Sequence, residues 1–229
     1  MATIIASKWG FITSNNQSSH ASARDATTGA ATANPSSVTT GTAIEYAKLA
    51  GRSRGSFVYR VSRAFFYFDT SGITGTVTAA SVQVAGATAA NTNVILIPST
   101  AFSGDGSTNL ANDDFDNVTF DGTYGAEFTG WATSGVISLS VRSPGRADIQ
   151  NNNEFICAIV QFANDFSDTE PSSVGQLNNG INYNTTPRLE VTTATTSNIT
   201  SLNTIARSNI TSFNTITLAN IDEINTIDN

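Results

Sequence analysis

The chain has one cysteine, one histidine and one methionine among its 229 residues, and only 13% of its residues are charged. Cys157, in the apolar run FICAIV, has no second cysteine to pair with, so no disulfide framework is available, and its setting suits a small buried hydrophobe better than a nucleophile. A Ser-His-Asp triad would have to use His20, which sits in a polar run, and a zinc site would lack His and Cys ligands. Paired-carboxylate hydrolysis has acids to draw on, Asp69, Glu154 and Glu170 among them, but no spacing picks out a pair. These shortages predict a protein that is not an enzyme and has no resident cofactor. Lysine is limited to Lys8 and Lys48 and the net charge is −7, which argues against nucleic acid as a partner, because phosphate neutralisation needs clustered Lys and Arg. No apolar run approaches the ~20 residues of a membrane span, and the N-terminal MATIIASKWGFITSN lacks the basic and apolar regions of a secretory signal.

Thr, Ser, Asn, Ala and Gly are abundant instead, the composition of a β-protein with uncharged polar faces. The most informative stretch is RVSRAFFYFDTSGITGTVTAASVQV, Arg60 to Val84. As a strand it points Arg63, Phe65 and Tyr67 to one face and Ala64, Phe66 and Phe68 to the other, so both faces are largely apolar. That pattern fits the middle of a sandwich rather than a sheet with one wet side. The turn formers Asp69-Thr70-Ser71-Gly72 end the run, and Ala79 to Ala85 forms a second strand. The pair reads as a central hairpin or crossover.

In chain order, Thr3 to Thr13 is expected to form the first strand, and residues 14–43 a long polar loop, functional or ordered by a neighbour. Ala43 to Leu49 fits a short strand or helical turn. Gly51-Arg52-Ser53-Arg54-Gly55 is a basic turn, either solvated or a clamp for a carboxylate or sugar. Asn93 to Pro98 is a short buried strand. Residues 103–122 form an acidic loop with Asp105, Asp113, Asp114, Asp116 and Asp121, either hydrated or holding Ca²⁺, though without EF-hand spacing. Val136 to Val141 and Glu154 to Phe162 are strands separated by a Pro144-Gly145 turn; a polar loop, residues 163–186, then leads to a last strand, Pro187 to Val191. Phe66, Phe68, Val84, Leu139, Ile159 and Leu189 are the expected core, with no substantial helix.

The succession RAFFYFDTSGI, TGTVTAASVQV, a central Trp, EFICAIVQF and the closing TTPRLEVTT resembles the DNRLRE-type carbohydrate-binding β-sandwich over roughly residues 57–195, although the run that gives the family its name is not present. That family has members in bacterial surface proteins, polysaccharide-degrading enzymes and phage structural proteins. The resemblance implies an all-β, jelly-roll-like antiparallel sandwich. The domain plan is then 1–56, an N-terminal strand and polar loop that joins the sandwich or serves as an anchoring arm; 57–195, the sandwich; and 196–229, a tail. A sugar site would use aromatic platforms, for which Trp9, Tyr124 and Trp131 are the candidates.

The tail repeats with period 11: NITSLNTIARS, NITSFNTITLA, NIDEINTIDN. Ile199, Ile210 and Ile221 occupy equivalent places, as do Leu202, Phe213 and Ile224, and Ile205, Ile216 and Ile227. Exact repetition implies a repeated environment and marks these nine residues as an assembly element. Short Asn-Ile repeats of this kind are similar to those ending some phage structural proteins. The expectation is a virion protein, made in the host cytoplasm, assembling as a homo-oligomer, trimer favoured, with other virion proteins as partners. The alternative is a carbohydrate-binding or adhesion module that recognises glycans, at a bacterial cell surface.

Overall fold

Residues 1–34, 43–89, 93–182 and 185–194 are described by the structure, a computed structural model. In chain order the elements are β1 (Ala2–Ile5), β2 (Lys8–Ser14), α1 (His20–Arg24), β3 (Gly29–Ala33), β4 (Ile44–Ala50), β5 (Phe57–Asp69), β6 (Val77–Ala89), β7 (Val94–Pro98), β8 (Val136–Ser140), α2 (Ser143–Asn151), β9 (Glu154–Gln161), β10 (Gly175–Ile181) and β11 (Arg188–Thr193). Every pairing among them is antiparallel. One sheet runs β1-β11-β6-β8. The other is built on β5, with β2 and then β3 on one side. On the other side β4 pairs with Phe57–Ser62 and β9 takes over at Ala64–Asp69, with β7 beyond β9, so Arg63 lies at the fork between two partners. β10 joins the sheets by pairing with both β4 and the end of β6.

The fold is the expected all-β sandwich, and the double apolarity of β5 has a direct cause. Phe66 and Phe68 face the other sheet, in one cluster with Val82, Val84, Leu139 and Leu189. Phe65 and Val61 face outward, yet they are also buried, because the segment between β7 and β8 covers them with Phe102, Leu110 and Phe115. Three layers therefore stack on β5. Each of the six residues expected in the core is buried.

Several local expectations are corrected. The first strand is two: the chain leaves one sheet after β1 and enters the other as β2. Of the two readings open for β5 and β6, the crossover holds: the strands lie in different sheets and neither pairs with the other. The supposed loop 14–43 contains α1, where Ser19 accepts from the Ser22 N–H, and β3, whose Gly29 lies so close to Ile12 and Thr13 that a Cβ would clash at 2.6 Å. Pro144-Gly145 opens α2 instead of making a turn, because proline's fixed φ suits a first helical turn and Gly145 packs against Val141 and Tyr124. The polar segment 163–186 contains β10, which has few β-forming side chains but strands on both sides to satisfy its backbone. The 11-residue repeats lie outside the described residues.

Candidate functional site

Alternation places Tyr59 and Arg63 on the outer face of β5, and β4 adds Tyr46 and Lys48 beside them, with Lys48 directly opposite Tyr59. After β9, Gln161 turns the chain back over this row: its side-chain oxygen accepts from the backbone N–H groups of Asn164, at 2.6 Å, and Asp165, at 3.2 Å. The segment that follows delivers three carboxylates to the row. Asp165 takes two hydrogen bonds from Arg63, which also donates to the carbonyls of Phe115 and Arg24 and stacks 4.1 Å from the Phe115 ring. Asp168 pairs with His20 Nε2 at 3.1 Å, while His20 Nδ1 bonds the Tyr46 hydroxyl. Glu170 accepts from Lys48 at 2.7 Å and from the Tyr59 hydroxyl. Beside the row, on the opposite face, buried Glu45 receives Arg60 and Gln176.

The electrostatics follow from these contacts. Hydrogen bonds from Lys48 and then Tyr59 hold the Glu170 carboxyl below its usual range, and the same carboxylate raises the Lys48 ammonium. Burial pushes the phenols of Tyr46 and Tyr59 up, and burial alone pushes the Cys157 thiol well up, which keeps it protonated. The arrangement staples α1 and residues 162–171 onto β4 and β5. Each of these charges is matched by a partner within the protein, and the chemistry it performs is cohesion.

The three aromatic candidates fall in different surroundings. Trp9 lies on β2 opposite Phe66, and Trp131 lies in the loop before β8; both are half-buried against the core with shielded, unpartnered Nε1–H groups. Tyr124 is interior, stacked on Phe155 at 5.0 Å between ring centres and donating to Asp148 at 2.5 Å. The expected platform thus reduces to the two indoles. Two concavities flank β8: one of about 360 Å³ at its Val136 end, near Gly86 and Thr133, and one of about 230 Å³ between Ser138 and the Gly125–Phe128 segment.

In the acidic loop, Asp105 and Asp121 cap local turns through Ser107 and Thr123, and Asp114 accepts from the N–H groups of Phe102 and Ala111 and from Asn117. Among the described residues no three His, Cys, Asp or Glu side chains converge on a common point. The assembly residues Ile199, Leu202, Ile205, Ile210, Phe213, Ile216, Ile221, Ile224 and Ile227 lie outside the described residues. Sequence reading named His20 and Glu170 but missed the staple that joins them. Its available signal was Arg63, a charge between Val61 and Phe65 on one face of β5.

No protein-family model matches the chain, and no curated protein matches it.

Proposed function

We propose that the protein is a non-catalytic structural component of a phage particle, a capsid decoration, head-fibre or tail-associated protein, that displays the sandwich and assembles as a trimer through its repeats. The observation that carries this reading is the threefold repetition beginning at Asn198, five residues after β11 ends at Thr193. Three units with apolar residues at matched positions ask for the same surroundings three times, and so short an array buries too little surface to stand alone. Neighbouring copies related by symmetry supply the missing surface. The staple supports the reading from the other side: charged groups fix α1 and residues 162–171 onto the outer face of β4 and β5, which suits a displayed module.

The test is mass spectrometry of purified particles. The reading expects peptides of this chain in stoichiometric amount with the major particle proteins, and their absence from particles would overturn it. A glycan array of the intact chain separates it from the adhesion alternative: selective glycan binding by protein absent from particles would favour adhesion.

A further inference from the structure

The β4–β5 hairpin ends in a built turn. Gly51 N–H donates to the Ser56 carbonyl at 2.8 Å, Ser56 N–H to the Ser53 carbonyl at 3.0 Å, and the Ser56 hydroxyl donates to the Ser53 carbonyl at 2.7 Å and accepts from the Ser53 N–H at 3.2 Å. Gly55 supplies the left-handed residue, φ 77°, that closes the turn. Arg52 and Arg54 are exposed on it, with Phe57, itself 40% exposed, at the base.

Most charged side chains of the described residues are engaged within the protein. Lys8, Arg142 and Arg146 donate to carbonyls, and Arg24, Lys48, Arg60 and Arg63 meet carboxylates. Among the described residues Arg52 and Arg54 are left without a partner, as is Arg188 on β11. The acids show the same pattern. Asp113 and Asp116 stand exposed and unpartnered on the turn Asn112–Asp116, which is fixed by Asp114 capping Ala111 and by Ala31 N–H donating to Asn112 at 3.0 Å.

One molecule cannot bring these turns together. The basic turn precedes Phe57 at the start of β5, whereas the acidic turn bonds Ala31 on β3, which lies opposite Ile12 of β2 and, through it, Arg63 of β5, on the order of 20 Å further along the strand at about 3.3 Å per residue. We infer that the Arg52/Arg54 turn docks on the Asp113/Asp116 turn of a second copy of this chain. Two guanidiniums on one turn meet two carboxylates on the other, the charge complementarity that Arg–carboxylate pairing needs, with half-exposed Phe57 beside the arginines. The contact is head-to-tail, so it closes into a ring or continues as an array. This inference rests on the assembly reading above and adds a second, charge-based contact to the one assigned to the repeats.

The test is sedimentation velocity of the full chain at low and high ionic strength, because an ion-paired contact between exposed groups weakens with salt while an apolar one does not. The expected result is a salt-sensitive part of self-association that falls at least tenfold in R52E/R54E and in D113R/D116R, both of which remain folded by circular dichroism, and that returns in the fourfold variant with both charges reversed. No salt-sensitive association in the native chain, an unchanged one in the charge-reversed variants, or no recovery in the fourfold variant would overturn it. A native oligomer whose mass is the same at low and high salt leaves the assembly reading standing without this contact. Salt-sensitive binding of a polyuronate that competes with self-association at Arg52 and Arg54 would assign the turn to an anionic glycan and overturn the inference.

Discussion

Arg63 donates from Nη2 and Nε to the two carboxylate oxygens of Asp165, at 2.7 and 2.9 Å, and neither side chain has any exposure to solvent. The pair sits where β4 leaves β5 and β9 joins it, and it ties the 162–166 turn to the sheet. Removing one partner leaves a buried charge uncompensated, which costs about 3–5 kcal/mol. Asp165→Leu and Arg63→Met are each expected to lower stability by that order in urea unfolding, while the double variant carrying both substitutions loses less than the sum. Additive losses would show that the two groups do not act as a pair.

Phe66 is completely buried between the sheets, stacked near Phe68 with ring centres 6.5 Å apart. Phe66→Ala deletes an aromatic ring from a close-packed layer and is expected to cost about 3–5 kcal/mol, read as a lowered melting temperature. An unmoved transition would contradict the placement of β5 at the centre of the fold.

How much of this was legible in the sequence depends on where the physical signal lies. Strands with apolar alternation, such as β5, β8 and β9, declare themselves because burial is written in residue type. β3 (GAATA) and β10 (GQLNNGI) do not, since pairing on their neighbours satisfies the backbone whatever the side chains are. The acidic loop read as hydrated because its aspartates are conspicuous, whereas Phe102 and Phe115 bury the face they cover and most of the aspartates cap turns. The staple joins residues more than a hundred positions apart, as in Arg63 with Asp165 or Lys48 with Glu170, and no local pattern encodes such a pairing.

The pH response follows from the carboxylates held below their usual range: Glu170 by Lys48 and Tyr59, Asp69 by Ser71, and Asp105 by Ser107. A carboxyl with a lowered folded value contributes stability in full above its ordinary value of about 4, and loses it as pH falls through the folded value. The melting temperature is therefore expected to hold from neutrality to about pH 5 and to fall below that. Glu170→Gln should start lower and show a shallower acid limb. At the alkaline end the raised Lys48, Tyr46 and Tyr59 contribute below their ordinary values of about 10, and their contribution is lost as pH rises beyond that range. A variant with the same acid limb as the native chain would show that Glu170 is not held by its two donors in the folded protein.

The assembly reading turns on residues 198–229, and light scattering of the full chain beside a chain ending at residue 197 tests it most directly. The account predicts a trimeric mass for the full chain at high ionic strength and a folded monomer, with unchanged β-sheet circular dichroism, for the shortened one. The same oligomeric mass for both chains would contradict it.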